Sequence, residues 1–431
     1  MQGDPSALRL RRSSGELTDG AGLLLLRKLW DRLELGAWID QQARGVGGHY
    51  RASLMVELWV ALVLYGGRCM DDLPRLGARG VRRLFGWVAL PVATTYGRWL
   101  RRAGEPMTEV LEALLWRVVR MRWQVSGVPR EAMLVLDSHV AVRYGVKQAG
   151  AEKGYNPKKP GRASHHPLVA FLAETGDCLG LRWRGGSAHT AEGAGPWLEV
   201  LVGRLRAAGV ERITVRLDKG FFSKEMVRTL QRLGVDYVLK VPAYPALRTR
   251  LGALRRSTKD TRLWTGATTL YGARLLAVEQ RRELKADDGE LELGAVEVQK
   301  RAYVLTNLHG LHALSAWRLY NRGAVVENRI EELVQLGAGA TAVDDRGGNA
   351  LLWSMTALAY QLQHVLRTQA LSGRWRRAEP KRLRNWLFRM PARLTSHARK
   401  QYVQLVREEP LGSMLLRALR RIEAIGPPLA A

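Results

Sequence analysis

Apolar residues recur at three- and four-residue intervals from Leu23 to Leu35 and from Leu54 to Leu64. They do so again from Val110 to Val125, with arginine on the opposite face. That period predicts amphipathic helices. Gly66-Gly67, Pro91 and Gly104 punctuate them. Residues 21–127 therefore read as an all-helical domain, preceded at 1–20 by a polar, disordered tail. Arg79, Arg82, Arg83, Arg98, Arg101 and Arg102 give the helical domain a basic face suited to DNA.

From residue 131 the period shortens. Met133–Leu136, Leu168–Leu172, Leu179–Trp183, Ile213–Leu217 and Tyr237–Val241 read as strands. Helical segments at about 191–208 and 223–233 separate the later ones. Three strands followed by helix, strand, helix, strand is an α/β order. Over 128–241 it is compatible with a ribonuclease-H-like core, in which the first and fourth strands are neighbours. Residues 242–312 read as a β-rich insertion, with alternating stretches at Ala273–Glu279, Leu291–Val298 and Ala302–Leu305 and a turn at Asp287-Asp288-Gly289. Residues 313–371 return to the core. They hold a helix bearing Glu327, with a break near Gly323, and then a long apolar helix from 347. Residues 372–431 read as a basic helical region, with segments at Arg374–Arg377, Lys381–Arg389 and Arg393–Val406.

Charge narrows the partner. Lys and Arg number 68 against 40 Asp and Glu, a formal net charge of +28. Hydrophobic content of 46% marks a globular chain, so the charge is not that of a disordered basic tail. Most of the cations are arginine, the side chain best shaped for phosphate. An anionic membrane is the other candidate for such a surface. The apolar runs are too short to span one, so none is expected. Two cysteines, Cys69 and Cys178, offer neither a disulfide framework nor a metal spacing. With no apolar leader after Met1, the expected location is cytoplasmic.

The chemistry rests on three carboxylates. Asp137 ends Leu134-Val135-Leu136, and Asp218 ends Val215-Arg216-Leu217, where Lys219-Gly220-Phe221 follows and Ser223 is placed to cap the next helix. Glu327 lies in a helical pattern with Tyr320, Asn321, Arg322, Asn328 and Arg329. Any one of these is an ordinary strand-end or helix-surface residue. Two like charges brought together need a proton or a cation between them. Oxygen-only ligands fit Mg²⁺, or Mn²⁺ in its place, and two such ions clamp the attacking and leaving oxygens of a phosphodiester. The loop Gly154 to Arg162 offers Lys158, Lys159 and Arg162 to a DNA backbone, and Trp264 is a candidate for stacking on an unpaired base.

These stretches resemble the DDE transposases of bacterial insertion sequences, in the cut-and-paste group with a Tyr-Arg-Glu-Lys signature. The resemblance runs from about 130 to the C-terminus. Gly154-Tyr155-Asn156, His166-Pro167-Leu168 and Ala173-Glu174-Thr175-Gly176 are similar to the first core hairpin. Arg216-Leu217-Asp218-Lys219-Gly220-Phe221 resembles the second-acid motif, and Val326-Glu327-Asn328-Arg329-Ile330-Glu331-Glu332-Leu333 the third-acid helix. The resemblance implies a ribonuclease-H-like core with a β insertion. It also implies catalysis by Asp137, Asp218 and Glu327 with two Mg²⁺, and a homodimer in a synaptic complex that acts on double-stranded DNA with terminal inverted repeats, through end hairpins, and on target DNA. Tyr320, Arg322 and Arg329 would hold phosphates. The signature Lys falls on Val334 and the signature Arg on Gly323, with Arg322 one residue, or about 100° of helix, away. Two other readings stay open: a DNA-binding repressor without catalysis, and a structure-specific nuclease on the same core.

Overall fold

The computed structural model describes residues 16–425, apart from positions 47, 146–147, 155, 157–158, 261, 286–290, 323 and 339–340. The 1–15 tail, the Asp287-Asp288-Gly289 turn, Lys158 and Gly323 therefore lie outside the described residues. The chain begins with β1 (Glu16–Thr18) and the helices α1 (Leu24–Arg32), α2 (Leu35–Gln42), α3 (Ala52–Tyr65), α4 (Arg79–Phe85) and α5 (Ala93–Ser126). Next come β2 (Glu131–Ser138), the short strands β3 (Ala141–Val142), β4 (Glu152–Lys153) and β5 (Ala163–His165), β6 (Leu168–Leu172) and β7 (Cys178–Arg182). The alternating part follows: α6 (Ala194–Ala207), β8 (Arg212–Leu217), α7 (Lys224–Leu233) and β9 (Asp236–Val241). Then α8 (Pro245–Leu251), β10 (Arg255–Arg256), β11 (Leu263–Leu270), β12 (Ala273–Lys285) and β13 (Leu291–Thr306) lead to α9 (Ala313–Arg322), α10 (Ala324–Gln335) and α11 (Arg346–Val365). The C-terminal part holds α12 (Pro380–Leu383), β14 (Ala392–His397), β15 (Lys400–Gln404) and α13 (Gly412–Glu423).

Among the described residues, nine strands form one mixed sheet in the order β10-β11-β12-β13-β9-β8-β2-β6-β7. β2, β8 and β9 run parallel, while β6 pairs antiparallel with both β2 and β7. The five strands β7-β6-β2-β8-β9 thus have the order and polarity of a ribonuclease-H-like sheet, with the first and fourth strands side by side. The β-rich segment continues that sheet, because β13 pairs with β9 and covers what would otherwise be an open edge. Two stretches read separately, at 291–298 and 302–305, form the single strand β13.

One face of the sheet packs against α6 and α7 through Leu134, Leu136, Val215 and Leu217. On the other face Val135, Val169 and Phe171 share a core with α3, α5 and α11. α11 is buried from Gly348 to Val365, and its polar Asn349, Thr356 and Gln361 are hydrogen-bonded inside. α5 bends at Gly104, at φ 23° and ψ −121°, where the sequence predicts a break. Ser223 caps α7 by accepting from the Met226 amide at 3.0 Å. Among the described residues no single helix is long and apolar enough to cross a membrane.

The C-terminal region departs from the basic helical expectation. Residues 393–406, read as a helix, form most of a β-hairpin, β14–β15, and β1 pairs with β14 beside it. Leu394 and Val403 face inward while Arg393, Thr395, Tyr402 and Gln404 alternate outward. That is a two-residue period, which the dense Arg and Lys content masked. Residues 16–18, read as the end of the disordered tail, are a strand for the same pairing reason.

Candidate active site

In the parallel pair β2–β8, Val135 lies beside Arg216 and Leu136 beside Leu217. One step further come Asp137 and Asp218, at neighbouring strand ends. Leu136 and Leu217 point into the α6–α7 core, so alternation turns Asp137, Arg216 and Asp218 to the α9–α11 side. Gly220 lets the chain leave β8 closely, since a Cβ there would meet Thr190 at 2.9 Å.

Each carboxylate is held differently. Asp137 Oδ1 accepts from its neighbour, the Ser138 amide, at 2.7 Å. Burial pushes its pKa up to about 6; the Ser138 amide and Arg216 oppose the rise, and the charges of Asp218 and Glu327 add to it. Asp218 Oδ1 accepts from the Tyr320 hydroxyl at 2.9 Å. Tyr320 is buried under the Arg216 guanidinium, 4.3 Å from its ring centroid, and Arg216 Nε donates to the Tyr320 carbonyl at 2.8 Å. Burial, then Asp218, raises the phenol far above its ordinary range, so it remains a donor. Glu327 sits exposed in the first turn of α10 and acts on Asp137 through its field. Among the described residues no three acidic, histidine or cysteine side chains close into a ready-made metal cluster. Asp137 and Asp218 open onto a cleft of about 550 Å³ that Ser138, His166, Phe222 and Tyr244 also line.

The sequence profile of the family described as "Transposase DDE domain group 1" matches residues 2–427. The chain belongs to the DDE transposases. It is therefore an enzyme of DNA cleavage and strand transfer, in a family that works with divalent metal. Among curated proteins none matches it. Among solved structures, one titled a cryo-EM structure of the piggyBac transposase synaptic complex with hairpin DNA is similar at 14% identity and a TM-score of 0.44, covering 95% of this chain and 86% of that one.

The remaining sequence-predicted residues of the transposase fall in several places. Tyr320, expected at a DNA phosphate, is buried and bonded to Asp218, because its ring completes the core between α9 and the sheet. Arg329 turns away from the carboxylates. It donates to Glu332 Oε1 at 2.8 Å and packs on Gly176, in the turn beyond the start of β2, at the other end of the strand from Asp137. Trp264 pairs with Glu279 on the sheet face opposite the carboxylates, with Arg256 over its ring at 5.4 Å. Lys159 and Arg162 are exposed and both lie 5.4 Å from the Tyr144 ring. Arg322 ends α9. Val334 is 42% exposed on α10.

Three further groups complete the site. Arg216 follows from alternation, since a strand with Val215 and Leu217 inward must turn it toward Asp218. His166 Nε2 lies 3.1 Å from Ser138 Oγ, a contact between β2 and the residue after β5 that sequence spacing does not encode. Phe222 and Tyr244 pair their rings at 6.4 Å, and Phe222 also stacks on Tyr271 at 6.1 Å, which makes an aromatic cluster beside the cleft.

Proposed function

We propose that this transposase excises and joins an insertion sequence at its terminal inverted repeats, in the cut-and-paste manner of the Tyr-Arg-Glu-Lys group, with Asp137, Asp218 and Glu327 as its catalytic carboxylates. The observation that carries the reading is the placement of Asp137 and Asp218 on one sheet face at adjacent strand ends, with Asp137 held up to about 6. A buried acid that faces two further carboxylates is only partly offset by Arg216, and oxygen donors of this kind suit Mg²⁺ or Mn²⁺. Asp137 and Asp218 would hold two such ions, with Glu327 completing the set. When bound, the ions supply Lewis-acid activation of the attacking oxygen and stabilise the leaving one.

The chain's own groups prepare that arrangement. The Tyr320 hydroxyl fixes one oxygen of Asp218, which lines the cleft. Arg216 holds Tyr320 in place and tempers the charge on Asp137. Lys159, Arg162, and Lys158 in the same loop would steady the DNA backbone, with Arg322 near the α9–α10 junction. If an end hairpin forms, its unpaired base has Phe222, Tyr244 and Tyr271 beside the cleft, which are better placed for stacking than Trp264. The working form would be a homodimer that brings two DNA ends together with target DNA, in the bacterial cytoplasm at the nucleoid.

The test is cleavage of a labelled duplex carrying the flanking inverted repeat, in Mg²⁺, Mn²⁺ or EDTA. Asp218→Asn is expected to lower metal-dependent cutting by about 10³-fold while DNA binding in EDTA stays at the parental level. Equal cutting by parent and variant would refute the assignment. Tyr320→Phe keeps the ring and removes the hydroxyl. It should slow cutting by about 10-fold, the lower end of what an orienting partner contributes to a metal site, and should raise the Mg²⁺ concentration for half-maximal rate.

A second reading, end binding without catalysis, is favoured by the exposed Val334 where the signature has Lys. It predicts salt-sensitive binding with no nicking in any metal.

A further inference from the structure

The catalytic reading leaves the β14–β15 hairpin without a task. Its register pairs Arg393 with Gln404, Thr395 with Tyr402 and His397 with Lys400. These six side chains share one face, and all are exposed except the half-buried Thr395. The opposite face is anchored. Leu394 is buried, and Arg83 donates to Gln401 Oε1 at 3.3 Å and to Ser396 Oγ. Glu16, the one carboxylate on β1, β14 or β15, is on that inner face and is bound by Arg83 and Arg79.

We infer that the outer face of this hairpin reads base edges in the major groove of duplex DNA. Three observations support this, together with the family's action on DNA. First, the face carries cations and no carboxylate, so its charge complements phosphate and guanine acceptors. Second, the cations are interleaved with Gln404, Thr395 and Tyr402, neutral groups that donate and accept. Such groups also contact phosphate, but set between cations they add the donors and acceptors that match base edges. Gln suits adenine and Arg suits guanine, and the major groove admits a two-stranded ribbon. Third, the tip is built against backbone preference. Ala398 and Arg399 both take left-handed φ, 48° and 63°, where a two-residue hairpin turn favours Asn-Gly. Strain of this kind clusters where function holds a residue in place, and here it presents Arg399 at the ribbon's end.

The inference rests on the DNA-acting family and does not require the catalytic assignment. The experiment measures binding of the full chain in EDTA, by mobility shift at two salt concentrations. The probes are a duplex carrying the inverted repeat that flanks its gene and a scrambled duplex of equal length. Gln404→Ala is expected to weaken repeat binding by about 10-fold, the scale of one lost base contact, and to leave scrambled binding unchanged. Arg399→Gly should weaken repeat binding several-fold while its unfolding midpoint holds or rises, because glycine relieves the left-handed turn. That pairing separates lost recognition from lost folding. Full repeat affinity in both variants, or an equal loss on both duplexes, overturns the proposal. If the parent cuts nothing in any metal and Gln404→Ala still loses discrimination, the catalytic assignment fails and the hairpin reading stands.

Discussion

Asp137→Asn is expected to abolish metal-dependent cleavage and, in the metal-free protein, to make the fold more stable. Both outcomes come from one cause. Burial and the neighbouring carboxylates lift the folded-state pKa from 3.8 to about 6, so ionisation is harder in the folded chain than in the unfolded one. Below about pH 3 both states are protonated and the residue costs nothing. As pH rises through this window the unfolded state ionises first, and above pH 6 the penalty is complete. At 1.36 kcal/mol per pKa unit the full penalty is about 3 kcal/mol. Thermal melts in EDTA should therefore show the Asn variant gaining stability at pH 8 and matching the parent near pH 3. Saturating Mg²⁺ should stabilise the parent and reduce the variant's advantage. A variant less stable than the parent at pH 8 without metal would remove the argument that Asp137 awaits a cation.

The second large effect lies away from the cleft. Asp177 is fully buried. Its oxygens accept from Arg122 Nε at 2.7 Å, Trp123 Nε1 at 2.9 Å and Gln361 Nε2 at 2.8 Å. Burial alone would raise its pKa, yet Arg122 and these partners hold it below the usual carboxylate range. The cluster ties α5 to α11 through the β6–β7 turn, so it joins the helical N-terminal part to the sheet. Asp177→Ala strands the Arg122 guanidinium in the core and should cost about 3–5 kcal/mol. Asp177→Leu combined with Arg122→Met removes both charges and should recover most of that loss. Denaturant unfolding of the three proteins measures it, and a double variant as unstable as the single one would show that the buried Trp123 and Gln361 donors left without Asp177 cost as much as the stranded charge. Folded-state pKa depression also fixes the direction with pH. The contribution of Asp177 is present above its unfolded value and is lost as pH falls through the folded one.

The placement of Asp137 and Asp218 in the candidate site was legible in the chain because it depends on short-range rules. Strand period and helix count put Asp137 and Asp218 on neighbouring strands, and Ser223 announced its helix start. What local patterns could not encode was which partner each side chain would meet across the fold. Arg329 carries the charge of a phosphate ligand, but Glu332 lies one turn along its helix, and Glu332 is also held by Arg367 from 35 residues away. Tyr320 was read by its place beside Glu327, whereas its burial depends on Val238, Leu276 and Val304 from three separate strands. Trp264 was read by residue type, and only the register through β12, β13 and β9 shows which face it takes. The β14–β15 hairpin was missed because charge density hid a two-residue alternation.

The pairing of β1 with β14 also orders events during synthesis. Glu16 sits opposite Leu394, so the ribbon's third strand is made long before its partners. At ribosomal speeds of about 5–20 residues per second the first strand waits roughly 20 to 75 s for them. Such distant contacts make closure a late step. A chain that stops short of residue 400 lacks the second strand of the hairpin. By this logic a chain that stops there would lack the base-reading face inferred for the hairpin.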